Sequence, residues 1–372
     1  MKAIVKQLCY FAGSFVLLYA VILAACLVLV PRQTQSLRLN SEMAPRTVFA
    51  TEPKYVFLNR SPTASTAPKV ILVGASNVMV GFRQTQLQKF MPGMEVHNLA
   101  VGGSNMTQVG QVVDLVQELQ SPAAMRNTTY VIGMWYGQFA EDGVRWHTSD
   151  RQAGDTDIDI ERYRYGFFRR TKNGPEHILP PQYLDLGVTL IYPYLALDSF
   201  VRDQTRWIKG LISPEEQMRT EEERNASVVT EALKVKMLKY WDEQMQKPSG
   251  ELSDEQFERL SATIENILHS GGRVMLVDLP IPKWHAERSP YEKSYLEHKQ
   301  RIVEHFAGRQ RFAYFDKLGN DDLDFSDEVH PKPRVALQWS AQIAKALKPN
   351  TVTDAPSVDT SLALIPIASR HE

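Results

Sequence analysis

Three side chains in this chain have the types that activated-hydroxyl chemistry needs. Ser76 follows the β-branched run Val70-Ile71-Leu72-Val73 and a glycine, and Asp327 and His330 stand three apart in Asp324-Phe325-Ser326-Asp327-Glu328-Val329-His330-Pro331. A hydroxyl is a poor nucleophile until a base takes its proton, and an imidazole needs a carboxylate to fix its tautomer and stabilise its charged form. One short turn holds both members of a pair three residues apart, so Asp327 and His330 are candidates for the orienter and base of Ser76. Each residue also has a purely structural reading. Serine between a strand and a helix is favoured as an N-cap, Asp327 suits the cap of a last helix, and Gly102-Gly103 suits a tight turn. His285 follows a strand end in Leu279-Pro280-Ile281-Pro282-Lys283-Trp284-His285, and with Trp135 and Tyr136 it is read as a substrate-lining residue. His97, His147 and His177 lack metal-like spacing with carboxylates, so neither a metal nor another cofactor is expected.

Working groups in an open parallel sheet sit at the carboxyl ends of strands, and the elements that would place these residues there can be read from hydrophobic periodicity. Val70 to Val73, Glu95 to Ala100 and Tyr130 to Trp135 read as strands, each ending near glycines. Val109, Val112, Val113, Leu115 and Val116 mark a helix over Met106 to Leu119, and a shorter helical stretch follows Ser76. The same grammar resumes at Ser253, whose spacing to Gln256 fits a capping box. Phe257, Leu260, Ile264, Ile267 and Leu268 form a helix stopped by Gly271-Gly272. Val274 to Leu279 and Phe312 to Phe315 are further strands, with helices around Tyr291 to Phe306 and over Arg334 to Leu347. Alternating β and α elements predict an α/β chain, a three-layer α/β/α arrangement with a parallel sheet covered on both faces.

A serine after the first strand, an Asn-x-x-x-x-Gly turn at Asn98 to Gly103 and Asp-x-x-His-Pro before the final helix resemble the SGNH, or GDSL-type, hydrolases. The resemblance covers about Lys69 to Leu347 apart from an insertion at roughly 139–251. It implies a flavodoxin-like fold and a Ser76-His330-Asp327 triad. It also implies an oxyanion hole made of the backbone N–H groups of Ser76 and Gly103 and a side-chain amide from the third block. There the chain departs: where the family has Gly-x-Asn-Asp, it reads Gly133-Met134-Trp135-Tyr136. Gln138, Asn77 and Asn105 are the candidate replacements for that amide.

The chain has 372 residues, a length that allows two domains or one enlarged one. Charge is balanced, with 42 Lys+Arg against 43 Asp+Glu, which argues against a nucleic-acid partner. The only cysteines, Cys9 and Cys26, fall inside the uncharged run from Leu8 to Val30. They are too few for a disulfide framework, and the run is long enough to cross a ~30 Å hydrocarbon core. The expected layout is a cytoplasmic end (1–6), a transmembrane signal anchor (7–30), a linker (31–68), the enzyme-like domain (69–348) and a loose tail (349–372). Leu23-Ala24-Ala25-Cys26 resembles a lipoprotein cleavage box, but Leu27 to Val30 continue the apolar stretch; either reading tethers the chain to a membrane. Within the insertion, Arg162 to Arg170 is basic and aromatic, and Tyr183 to Ile212 adds apolar residues including Leu190, Phe200 and Trp207. Such composition suits a membrane interface, a sugar-binding surface, a partner protein or simply the insertion's own core. Met218 to Gln246 reads as a charged, solvated helix.

Together with the anchor, the resemblance implies an envelope-facing serine esterase or O-acyltransferase, single-pass in a cell inner membrane with its main domain periplasmic. The expected substrate is an acyl ester, acetyl above all, of an exopolysaccharide or other glycan, and a membrane-bound O-acyltransferase is the expected partner. The rival from another class is a catalytically degenerate protein of the same fold that binds glycan or recruits the acyltransferase. A plain secreted lipase-like esterase fits the anchor poorly.

Overall fold

The computed structural model describes residues 2–29, 63–141, 155–172, 174–180, 183–194, 221–245 and 249–348. The expected linker (apart from its last few residues), the tail, and Phe200 and Trp207 lie outside these. In chain order the elements are α1 (Lys2–Leu29), β1 (Lys69–Val73), α2 (Ser76–Gly81), α3 (Gln84–Phe90), β2 (Glu95–Asn98), α4 (Met106–Leu119), α5 (Pro122–Arg126) and β3 (Thr128–Met134). Next come α6 (Asp157–Tyr165), β4 (Phe168–Thr171), β5 (Gly174–His177), α7 (Leu184–Leu190), α8 (Glu221–Ala226) and α9 (Glu231–Met245). The last are α10 (Asp254–His269), β6 (Arg273–Asp278), α11 (Lys283–Arg288), α12 (Glu292–Phe306), β7 (Phe312–Phe315) and α13 (Pro333–Leu347).

Five parallel strands form one sheet in the order β2-β1-β3-β6-β7. Counted within the sheet this is 2-1-3-4-5, the doubly wound order whose chain direction reverses between its first and third strands. β1 is buried at every residue, and β3 is buried at all but Thr129, as the continuous apolar runs of a sheet covered on both faces require. Helix α4 packs on α10, while α13 packs on α2 and α3. α1 is the one described helix long and apolar enough to cross a membrane; none of its span is buried in the domain, and it carries both cysteines.

Two glycines let α2 sit directly on the sheet. Gly74 has φ +147, outside the comfortable range of other residues, and a Cβ there would lie 2.4 Å from Val78 Cγ2. A Cβ on Gly133 in β3 would lie 2.3 Å from the same methyl. The first turn of α2 therefore presses against two bare backbones, which fixes Ser76 at the carboxyl end of β1.

The expected capping box at Ser253 does not form; Ser253 is the N-cap but its side chain makes no cap bond. Gln256 instead turns to the start of α4, where its Oε1 accepts from the N–H of Thr107 at 3.0 Å. A long-range contact to another helix end has displaced the local one. A capping box does form at Asn105 and Gln108, at the head of α4. The insertion leaves and rejoins the sheet at one point, because the N–H of Ser253 donates to the carbonyl of Phe139 at 3.1 Å. It contains the β4–β5 hairpin and helices α6 to α9. The stretch read as one solvated helix is two, α8 and α9, and Trp241 and Met245 of α9 are buried.

Gly133→Ala should destabilise the domain by about 1–3 kcal/mol, the usual cost of overpacking a filled site. Urea unfolding of the variant beside the parent measures it, and an unchanged midpoint would remove the close approach of α2 as the reason for this glycine.

Candidate active site

The loop from Phe325 to Pro331 closes on itself before α13. Phe325 and Pro331 form an isolated antiparallel bridge, the N–H of Ser326 donates to the carbonyl of His330 at 2.9 Å, and that of Lys332 donates to Asp324 at 2.8 Å. Inside this turn one carboxylate oxygen of Asp327 accepts the N–H groups of Val329 and His330, at 3.0 and 2.8 Å. Its other oxygen accepts from His330 Nδ1 at 2.8 Å. A carboxylate only accepts, so Nδ1 carries the proton and Nε2 offers its lone pair. Ser76 Oγ lies 2.7 Å from Nε2, and its O–H is the donor. Asp327 is therefore spent on this turn and does not cap α13, whose N-cap is Lys332. Ser76 is the first residue of α2, not its cap; the cap is Ala75.

Electrostatics reinforce the geometry. Burial works against charge on both groups, but the pair outweighs it. Asp327 is held below its ordinary range by His330 and the two backbone N–H groups, and His330 is raised by the Asp327 carboxylate.

Ser76, Gly103, Trp135 and His330 line a cavity of about 350 Å3. Gly103 has φ +70, so the loop after β2 turns back toward Ser76. Asn98 secures that loop to α2: its Oδ1 accepts from Ala100 N–H at 3.1 Å and its amide donates to the carbonyl of Phe82 at 3.0 Å. Of the three amides expected as oxyanion donors, Asn105 is committed elsewhere. Its Oδ1 caps α4, and its Nδ2 faces the carbonyls of Ala140 and Glu141. Asn77 and Gln138 each use only the carbonyl oxygen, to Val78 N–H and Trp135 N–H respectively. Their amide nitrogens are buried and have no partner among the described residues.

Of the three expected lining residues, Trp135 borders this cavity and Tyr136 and His285 do not. Tyr136 borders a neighbouring cavity of about 270 Å3, with Asp278, Glu292, Tyr295 and Asp316. There burial and Asp278 push the Glu292 carboxyl up to about 7. His285 is wholly buried, and burial holds its imidazole down at about 4, so it is neutral. Its Nδ1–H donates to the carbonyl of Glu328 at 2.8 Å, which leaves Nε2 to accept from Tyr136 O–H at 2.5 Å. The turn that follows β3 thus grips the loop carrying Asp327 and His330 through a neutral tyrosine–histidine pair, and the strand-end signal for His285 marked a positioning residue.

Among the cavity residues missed from sequence are Tyr240, Trp241 and Glu328. The first two come from α9 in the insertion. Trp241 packs edge-on to Trp135, 4.7 Å between centroids, and its Nε1–H faces Glu328 Oε1 at 3.4 Å. Burial and the Asp327 charge raise the Glu328 carboxyl. The one available signal was two adjacent aromatics in an otherwise charged helix. No group of three or more His, Cys, Asp or Glu side chains suited to a metal occurs among the described residues.

Two outcomes follow from this geometry. The His330 imidazole, followed by NMR, should titrate above its ordinary range and move down in Asp327→Asn, because burial and the Arg224 charge are then opposed only by the weaker effect of Glu328; a rise would contradict the assigned pairing. Tyr136→Phe strands the buried acceptor of His285 and should cost about 1–3 kcal/mol in chemical unfolding, whereas a neutral effect would mean that the pair does not clamp the turn. The chain matches no known family model and no curated protein.

Proposed function

We propose that the chain is a membrane-anchored serine esterase or O-acyltransferase of the SGNH, or GDSL-type, hydrolase fold. The observation that carries this reading is the continuous hydrogen-bond chain from Asp327 through His330 to Ser76 on the wall of an open cavity. As Ser76 Oγ attacks an ester carbonyl, His330 Nε2 takes its proton and the Asp327 carboxylate offsets the charge on the imidazolium. The N–H of Ser76, at the first position of α2, has no intrahelical acceptor, and in the hydrolase pattern it and that of Gly103 receive the developing oxyanion. Collapse breaks the bond to the alcohol, which takes the proton from His330 and leaves an acyl group on Ser76. Water or a second hydroxyl then attacks that acyl carbon and gives its proton to His330, which passes a proton to Ser76 Oγ as the acyl–oxygen bond breaks and Ser76 is freed.

The cavity favours a polyhydroxylated acceptor. Tyr240, Trp241 and Trp135 supply ring surface and Glu328 a carboxyl group, the mixture of apolar wall and few polar groups that orients a sugar ring. With α1 as a signal anchor, the domain faces the cell envelope and its esters are those of exopolysaccharide or envelope glycan, acetyl above all, beside a membrane-bound O-acyltransferase. One observation favours a second reading, a non-catalytic glycan-binding or acyltransferase-recruiting partner: Trp135 stands where the hydrolase pattern has an asparagine.

Labelling of the full chain in detergent with a fluorophosphonate separates the two. The enzyme reading expects labelling that disappears in Ser76→Ala and His330→Ala. It also expects p-nitrophenyl acetate hydrolysis to fall by at least about 10^4-fold in Ser76→Ala and to rise with pH through the His330 titration in the parent. Labelling that is absent, or that survives Ser76→Ala, leaves the binding-partner reading.

A further inference from the structure

Glu328 is the one acid among the described residues that border the Ser76 cavity. It is buried, at 8% exposure, and it takes part in none of the ion pairs among the described residues. A carboxyl in such a place is unfavourable unless a partner compensates for the lost water. The structural work of the residue falls to its backbone, because the Glu328 carbonyl accepts from His285 Nδ1–H at 2.8 Å, a bond that any residue type would allow. Apart from its own backbone N–H, the side chain meets Trp241 Nε1–H, and the 3.4 Å to Oε1 exceeds the usual length of an N–H···O bond. A neutral side chain of the same length would fill this place without the penalty. The carboxyl is thus under-used by the protein and stands on the wall of the cavity that holds the candidate nucleophile.

Its position decides which half of an ester it would meet. His330 returns a proton to the alcohol oxygen, so the alcohol half lies on the His330 side of Ser76. Glu328 is two residues from His330 in the same loop, borders the same cavity, and is close enough for its charge to act on the imidazole. Tyr240 and Trp241 stand beside it and offer ring surface to whatever the carboxyl holds.

We infer that, on the esterase or acyltransferase reading proposed above, Glu328 selects the alcohol: its carboxyl hydrogen-bonds a hydroxyl on the carbon next to the one that bears the ester. The alcohol so recognised is a vicinal diol on a ring, as in a sugar. A carboxyl suits this task in either protonation state, since it accepts from a hydroxyl when ionised and both accepts and donates when protonated. Burial and the Asp327 charge favour the protonated form. An ester that lacks the neighbouring hydroxyl leaves the buried carboxyl without this partner, and the site discriminates against it for that reason.

A pair of ring-matched esters tests this on the full chain in detergent: trans-2-hydroxycyclohexyl acetate, which carries the neighbouring hydroxyl, and cyclohexyl acetate, which lacks it. Acetate release gives kcat/KM for each, and their ratio does not depend on the fraction of enzyme that is folded. The parent should favour the hydroxy ester by at least about 10-fold, the size of one hydrogen bond to a carboxyl group. In Glu328→Met the ratio should fall to within about twofold of one, and in Glu328→Gln, whose amide still reaches the hydroxyl, it should stay clearly above that. If the methionine variant fails to fold, Glu328→Asp, shorter by one methylene, must lower the ratio by at least about threefold. A parent ratio near one, a ratio unchanged by these substitutions, or a parent that takes the fluorophosphonate label yet hydrolyses neither ester overturns the inference and leaves the serine-enzyme reading standing. A parent that takes no label and hydrolyses neither ester overturns both.

Discussion

A 2.7 Å hydrogen bond joins residues 254 positions apart in the chain, Ser76 and His330, and the architecture is arranged around the need to make it. It requires the ends of the first strand and of the last loop to meet at one edge of the sheet within a fraction of an ångström. Gly74 and Gly133 meet half of that need by letting α2 sink onto the strands. The packing of α13 on α2 and α3 meets the rest, because it draws the preceding loop over the same edge. Inside the loop, backbone N–H groups hold the Asp327 carboxylate, so the fold itself sets the geometry of the pair.

Just after the third strand, Trp135 and Tyr136 show how two large side chains are absorbed, and each takes a structural task. Trp135 becomes a wall shared by two cavities, and Tyr136 reaches through His285 to the backbone of the loop. A neutral clamp suits that position, since a charged group beside the Asp327-His330 pair would disturb the balance that keeps the imidazole basic. The insertion then completes the cavity with Tyr240 and Trp241. Surplus length that leaves the sheet at Phe139 and rejoins it at Ser253 therefore contributes to the site as well as to the outer surface.

Much of this was legible in the linear sequence. Buried parallel strands are continuous apolar runs, helices repeat near 3.6 residues, and a hydroxyl, a carboxylate and an imidazole at strand ends leave a recognisable pattern, so the sheet, most of its helices and the meeting of Ser76, Asp327 and His330 could be read directly. Other features depended on which surfaces meet. Gln256 looked like a local cap and serves another helix; His285 looked like a lining residue and is buried behind the turn that carries Asp327 and His330; Asn105 looked like a free amide and holds a helix end. Tyr240 and Trp241 carried no sign of their position because their helix reads as charged and solvated. The sequence alone determined which elements form, since their periods and breakers are local. Only the tertiary structure decided which polar groups are already spent and which side chains share a cavity, because hydrogen-bond partners and neighbours across the fold are set by packing between segments far apart in the chain.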